Sequence, residues 1–300
     1  MIAARTLKGM EGILVPLITP FAADGTVAAE ALAALADDVL TQGAAGLVAL
    51  GTTAEAFALD ADEKRTVLEI CARACADHGA ALVVGAGTND TRSSVEALAA
   101  HAQVDAALVP VPYYVRPGEA GVIAHFTQLA ADSPVPLLVY HVPHRTAQPL
   151  SAATLLTLSR IPNIIGAKVA SGMTEDAVAL LGDCPPDFAV FAGDDAYLSP
   201  MLALGAHGGI TASSHLCTAE FARLVATWHK GDVATARPLG HALARLCTAL
   251  FAEPNPTVLK GVLHAHGRIP TPDVRLPLLP ASPEAVGTAC QSVQLLTRTE

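Results

Sequence analysis

Residues 136–170 read PLLVYHVPHRTAQPLSAATLLTLSRIPNIIGAKVA, and the fold turns on how this stretch is read. Its ends, PLLVYHV (136–142) and IIGAKVA (164–170), are short, apolar and rich in Leu or β-branched residues. Strands buried on both faces look like this. Between them, residues 150–159 carry a helical period. Strand, helix and strand at this spacing imply parallel pairing through a crossover helix.

The same unit recurs in both directions along the chain. Apolar runs fall at GILVPLIT (12–19), GLVAL (46–50), ALVVGAG (81–87), AALVPV (106–111), FAVFAG (188–193) and GGITASS (208–214). Helices are expected near 27–41, 60–78, 91–102, 118–131, 174–181, 195–204 and 216–230. Eight such units predict an α/β chain folded as a closed (β/α)8 barrel over 1–231. The rival is a doubly wound sheet with a phosphate loop after an early strand. The one GxG here, Gly85-Ala86-Gly87, lacks the third glycine. Residues 232–300 read as a helical extension packed on the barrel, interrupted by a Pro-rich stretch from Ile269 to Pro283.

Composition narrows the function classes. Hydrophobic residues make up 52% of the 300, and the net charge is −10 without basic clusters. That argues against disorder, nucleic-acid binding and anionic membranes. No apolar stretch approaches the ~20 residues that span a bilayer, and MIAARTLKGMEG (1–12) lacks a signal-peptide pattern. The six cysteines are scattered, which suits reduced, packed thiols in the cytoplasm. Cys71 and Cys75 share a helical face, but only His78 is near them, so no metal site is expected.

Active sites of such barrels collect at the carboxyl ends of the strands. Four places there carry chemistry. Lys168 is the one lysine of five that sits in an expected strand. A buried ammonium is costly unless paired or unless it gives up its proton and becomes a nucleophile. The strand alone leaves both readings open, along with a lysine that snorkels out. Tyr140 ends the preceding strand, where a phenol could move protons or simply fill the barrel end. Arg145 follows on the loop, with a planar fork suited to a carboxylate or to a surface ion pair. Gly51-Thr52-Thr53-Ala54-Glu55 offers backbone N–H groups and two hydroxyls, or ordinary turn chemistry. PVPYYVRP (110–117) is a stiff loop that projects a phenol or supports a subunit contact. Gly193-Asp194-Asp195 could bind a cation, though helix capping is the simpler expectation.

Taken together and in order, GTTAE, PYYVRP, YHVPHRT, GAKVASG, AGDD, GGI and FAEPNP resemble the dihydrodipicolinate synthase / N-acetylneuraminate lyase family of pyruvate-dependent class I aldolases. The resemblance implies that Lys168 forms an imine with pyruvate. It implies a proton relay of Thr53 and Tyr140, with Tyr114 supplied by a neighbouring subunit. Main-chain groups of Thr52 and Thr53 would hold the pyruvate carboxylate, and Arg145 the carboxylate of an aldehyde acceptor. Gly193 and Ile210 would line the pocket through their main chains. Family members are commonly homotetramers, dimers of dimers. They need neither metal nor organic cofactor, because the protonated imine is the electron sink.

The arginine and the Thr-Thr pair resemble the dihydrodipicolinate synthase branch, whose acceptor is aspartate semialdehyde. Four positions depart from the family pattern: Ala54 and Ala147 stand for glycines, His141 for asparagine, and Val169 for an acid. These leave room for an aldolase or dehydratase acting on a sugar acid or 4-hydroxy-2-oxoglutarate. A catalytically silent keto-acid-binding protein is the reading from another class. The lysine-feedback site of the family carries an acid where this chain has Ser93, so feedback control is not expected.

Overall fold

The computed structural model of the chain describes residues 10–297. The amino-terminal reading of residues 1–9, Lys8, and the outer limits of the two expected units lie outside them.

Eight parallel strands close into a barrel in chain order: β1 Gly12–Pro16, β2 Gly46–Ala49, β3 Ala81–Gly85, β4 Ala106–Pro110, β5 Leu137–His141, β6 Ile164–Val169, β7 Ala189–Ala192 and β8 Gly208–Ile210. The helices around it are α1 Ala29–Thr41, α2 Ala61–His78, α3 Thr91–Ala99, α4 Gly118–Asp132, α5 Pro143–Thr146, α6 Ala152–Leu158, α7 Glu175–Asp183, α8 Leu198–Ala203 and α9 Thr218–His229. Each expected strand and helix is present. GGITASS is shorter as a strand than expected, because Ala212–His215 turns into a 3-10 segment. The short α5 is unexpected from periodicity; Pro143 starts it and Ala147, in the left-handed region at φ 57°, ends it.

Local chemistry accounts for the boundaries. Asp60 and Glu63 form a reciprocal capping box at the start of α2, and Gly79 closes its end at φ 63°. Asp90, Ser151 and Thr174 cap α3, α6 and α7 with their side chains.

Alternation along the strands divides the core in two. Leu14, Val48, Val83, Leu108, Leu138, Phe191 and Ile210 fill the barrel interior. Leu47, Val84, Val109, Val139, Ala167 and Val169 face the helices. Period two therefore turns Lys168 inward between outward-facing Ala167 and Val169. The carboxy-terminal extension comprises α10 Val233–Leu250, α11 Thr257–Ala265 and α12 Pro283–Thr297. Helix α10 packs on α9 and α12, and α12 on α11. Among the described residues, no helix is long and apolar enough to cross a membrane. All six cysteines are free, and burial pushes the Cys71 and Cys75 thiols up to about 12, so both are protonated packing groups.

Candidate active site

Lys168 and Tyr140 are direct partners across the β5–β6 pair. Adjacent strands run about 4.8 Å apart, and the Lys168 Nζ lies 4.5 Å from the centroid of the Tyr140 ring. Lys168 is 7% exposed. Among the described residues, no carboxylate forms an ion pair with it. This disposes of two of the three readings left open by the strand, the snorkelling lysine and the paired one. What remains is an amine with no ion-pair partner among the described residues, lining a cavity of about 740 Å³.

That cavity opens at the carboxyl ends of the strands. Thr52, Thr53, Tyr140 and Lys168 line it together. Tyr113 lines it as well, whereas Tyr114 points away and is 86% exposed at a strained φ of 70°. Arg145 stands exposed on α5, outside the cavity wall. The other lining cations are Lys64 and Arg65 of α2. Ile210 is fully buried in the barrel interior.

Gly193 follows β7 and lies against the lysine stem. A Cβ there would meet the Lys168 Cγ and the Ala170 Cβ at 2.9 Å each. Any other residue would displace the amine. The Gly193 N–H is engaged by the Val169 carbonyl at 2.7 Å.

The acidic pair after Gly193 does something other than cap. Asp194 accepts from the Gly172 N–H at 2.7 Å, and Asp195 from the Ser213 N–H at 2.6 Å. No side-chain cap is made at the following 3-10 turn. The two carboxylates tie the β6, β7 and β8 loops together behind Lys168. Burial pushes Asp195 up to about 6, against the pull of the Ser213 hydrogen bonds and the Lys168 charge.

The departures from the family pattern are structurally mild. Ala54 lies in a 3-10 turn in which the left-handed residue is Glu55, at φ 53°, so the Ala54 methyl adds no backbone strain. Val169 and His141 both face outward from the barrel, so neither alters the charge lining the cavity. Burial holds His141 down to about 4, and it is neutral near pH 7. Ala147 alone occupies a left-handed position that favours glycine.

Three groups that matter here escape a reading of strand ends. Lys260, one of the lysines assigned to polar, terminal or helical surroundings, is fully buried on α11 and pairs with fully buried Glu55 at 2.8 Å. Burial lowers its pKa, and Glu55 works against that shift. Of the two buried lysines, Lys260 is therefore engaged in an ion pair, whereas Lys168 makes none among the described residues. Asn255 donates to the Thr53 hydroxyl at 2.9 Å across 202 positions of sequence. Arg275 donates its backbone N–H to the second Glu55 oxygen at 2.7 Å. The apolar residues flanking Lys260 in VLKGVL and the FAEPNP motif were the available signals for the first two.

Comparison with known proteins agrees with this geometry. The model of the Dihydrodipicolinate synthetase family matches residues 9–294. The 4-hydroxy-tetrahydrodipicolinate synthase of Moorella thermoacetica is 38% identical over 275 residues, covering 91% of this chain and 93% of that one. The chloride-inhibited dihydrodipicolinate synthase of Acinetobacter baumannii, solved in complex with pyruvate, superposes with a TM-score of 0.91 at 32% identity, covering 96% and 99%. A monomeric dihydrodipicolinate synthase variant also superposes at 0.91, with 26% identity over 97% and 98%. From its amino-terminal strand to its last helix, the chain belongs to the dihydrodipicolinate synthetase family.

Proposed function

We propose that this chain is a pyruvate-dependent lyase of the 4-hydroxy-tetrahydrodipicolinate synthase type, with Lys168 as nucleophile and aspartate semialdehyde as acceptor. The observation that carries the reading is the Lys168 amine, buried beside Tyr140 with no ion-pair partner among the described residues.

In its neutral form the Lys168 Nζ adds to the C2 carbonyl of pyruvate. The resulting hydroxyl leaves as water, and a protonated imine forms. The imine draws electrons from C3, which gives up a proton and becomes the enamine carbon. This carbon attacks the aldehyde, a carbon–carbon bond forms, and the former carbonyl oxygen takes a proton. Each step moves a proton, which is the task of Tyr140 and Thr53. The imine supplies the electron sink, so the reading calls on no metal or organic cofactor. Thr52 and Thr53 open a short turn whose first N–H groups have no partner within it, which suits them to the pyruvate carboxylate. Arg145, just beyond the β5 end, takes the acceptor carboxylate in a bidentate grip. Gly193 and Ile210 contribute through their main chains.

The exposure and strained backbone of Tyr114 favour its insertion into a second copy of the chain, within a dimer of dimers. Six free cysteines favour the cytoplasm.

Borohydride added with pyruvate is expected to leave one adduct on the Lys168 peptide, with the mass of pyruvic acid less one oxygen. No adduct, or an adduct on another lysine, refutes the assignment.

A further inference from the structure

A threonine hydroxyl has one proton to give and two lone pairs to receive. At Thr53, which is 4% exposed, one lone pair is taken by the Asn255 Nδ2 at 2.9 Å. Among the described residues, the Thr53 proton has no acceptor. Donor and acceptor cannot share the sector facing Asn255, so the O–H bond is turned away from the extension. Thr53 lines the cavity with Tyr140 and Lys168, and its free proton is therefore directed there.

The amide that does this is held firmly. Asn255 lies between α10 and α11, at the foot of the helix that carries Lys260. Lys260 grips Glu55, two residues beyond Thr53, at 2.8 Å. Arg275 engages the other Glu55 oxygen and also the Ala58 carbonyl at 2.8 Å. Lys260 and Arg275 both stack on Phe21, at 4.1 and 4.4 Å from the ring centroid. The turn that bears Thr53 is thus clamped by the extension on the side away from the cavity.

We propose that Asn255 is a positioning residue: its side-chain amide fixes the direction in which Thr53 donates, and so the polarity of the proton relay. The extension is then a working wall of the site. The proposal rests on the reading of Thr53 and Tyr140 as a relay serving the Lys168 imine.

The test uses the full-length protein and an assay that needs no acceptor, deuterium uptake into the methyl group of pyruvate in D2O, followed by proton NMR. Asn255→Asp is nearly isosteric but, once ionised, only accepts, so it captures the Thr53 proton. Asn255→Ala merely releases it. Turnover at saturating pyruvate is expected to fall by about 10- to 100-fold in Asn255→Asp and by less in Asn255→Ala. The KM for pyruvate should change by less than about threefold, because ground-state binding is untouched. In a Thr53→Ala background, Asn255→Ala should have no further effect on turnover. A packing role predicts the opposite on each count: Ala as damaging as Asp, and effects that add in full with Thr53→Ala.

Wild-type turnover in both single variants, or full additivity, overturns the proposal. If Asn255→Asp does not fold, the cycle built on Asn255→Ala decides. If neither variant folds, Asn255 is a stability residue and the proposal falls. Wild-type protein carried through the borohydride trap keeps the two readings apart. A missing Lys168 adduct there sinks the functional assignment, and this proposal with it. An adduct with unaltered variants sinks this proposal alone.

Discussion

Replacing Lys260 with methionine is expected to lower the melting temperature by about 5–8 °C, a value that follows from the buried pair it breaks. Glu55 and Lys260 are both fully buried and 2.8 Å apart. Removing one partner of such a pair leaves an uncompensated charge and costs about 3–5 kcal/mol. The Arg275 N–H would remain on Glu55 but cannot neutralise it. At about 2.1 cal/mol/K per residue, a chain of this length unfolds with an entropy near ~0.6 kcal/mol/K, which converts that loss to the stated shift. Methionine fills most of the lysine volume, so the cavity contribution is small. The double variant Glu55→Gln/Lys260→Met buries no charge, and its amide oxygen can still accept from Arg275. It should recover to within about 2 °C of wild type, since apolar or neutral replacement of a buried pair is often close to neutral. Melting followed by circular dichroism at one scan rate measures both. A single variant within about 1 °C of wild type, or a double variant no better than the single, would refute the reasoning.

Arg145→Ala is expected to raise the KM of a carboxylate-bearing aldehyde by about 10- to 100-fold, while leaving an uncharged aldehyde unaffected. If the best acceptor in a panel lacks a carboxylate and ignores the substitution, a sugar-acid or related aldolase becomes the better assignment. Acid should destabilise the fold through His215, whose Nε2 accepts from the Ile18 N–H while its Nδ1 meets the Ala212 carbonyl at 2.7 Å, the pattern of a neutral ring. Burial holds it down to about 4 from 6.5, so between those values the unfolded chain binds the proton and the folded chain does not. Stability from His215 is therefore complete above 6.5 and falls with pH by about 1.4 kcal/mol per unit. His141 adds the same trend, and Asp195, raised to about 6, offsets roughly one histidine on the way down. Denaturant titrations from pH 8 to 5 should show a shallower slope in His215→Gln; an unchanged slope removes His215 from the account.

Much of the site was legible before any coordinates. Lys168 and Tyr140 draw notice because a polar residue at the end of an apolar run contradicts the pattern around it, but the pattern leaves their roles open and only the family resemblance assigns them. Thr52, Thr53 and Gly193 follow strands, which marks their places, while their roles are what the resemblance implies. One local expectation did not survive. Asp194 and Asp195 were read as caps, but they reach across to other loops instead. Ala54 stands where the family has glycine, yet the residue in the left-handed region of that turn is Glu55.

The linear order of residues was enough to determine eight parallel strands, the helices between them, and a lysine within the sixth strand. Those properties depend on periods of two and 3.6 and on short-range turn chemistry, all of which are written within a few neighbouring positions. Which buried lysine is paired, what orients Thr53, and how the extension meets the site came only from the closed structure. Glu55 and Lys260, Thr53 and Asn255, and Glu55 and Arg275 are separated by 205, 202 and 220 positions. No local pattern couples such distant residues. Only closure of the barrel, followed by docking of α11 against its rim, brings those charges and hydroxyls within hydrogen-bonding reach.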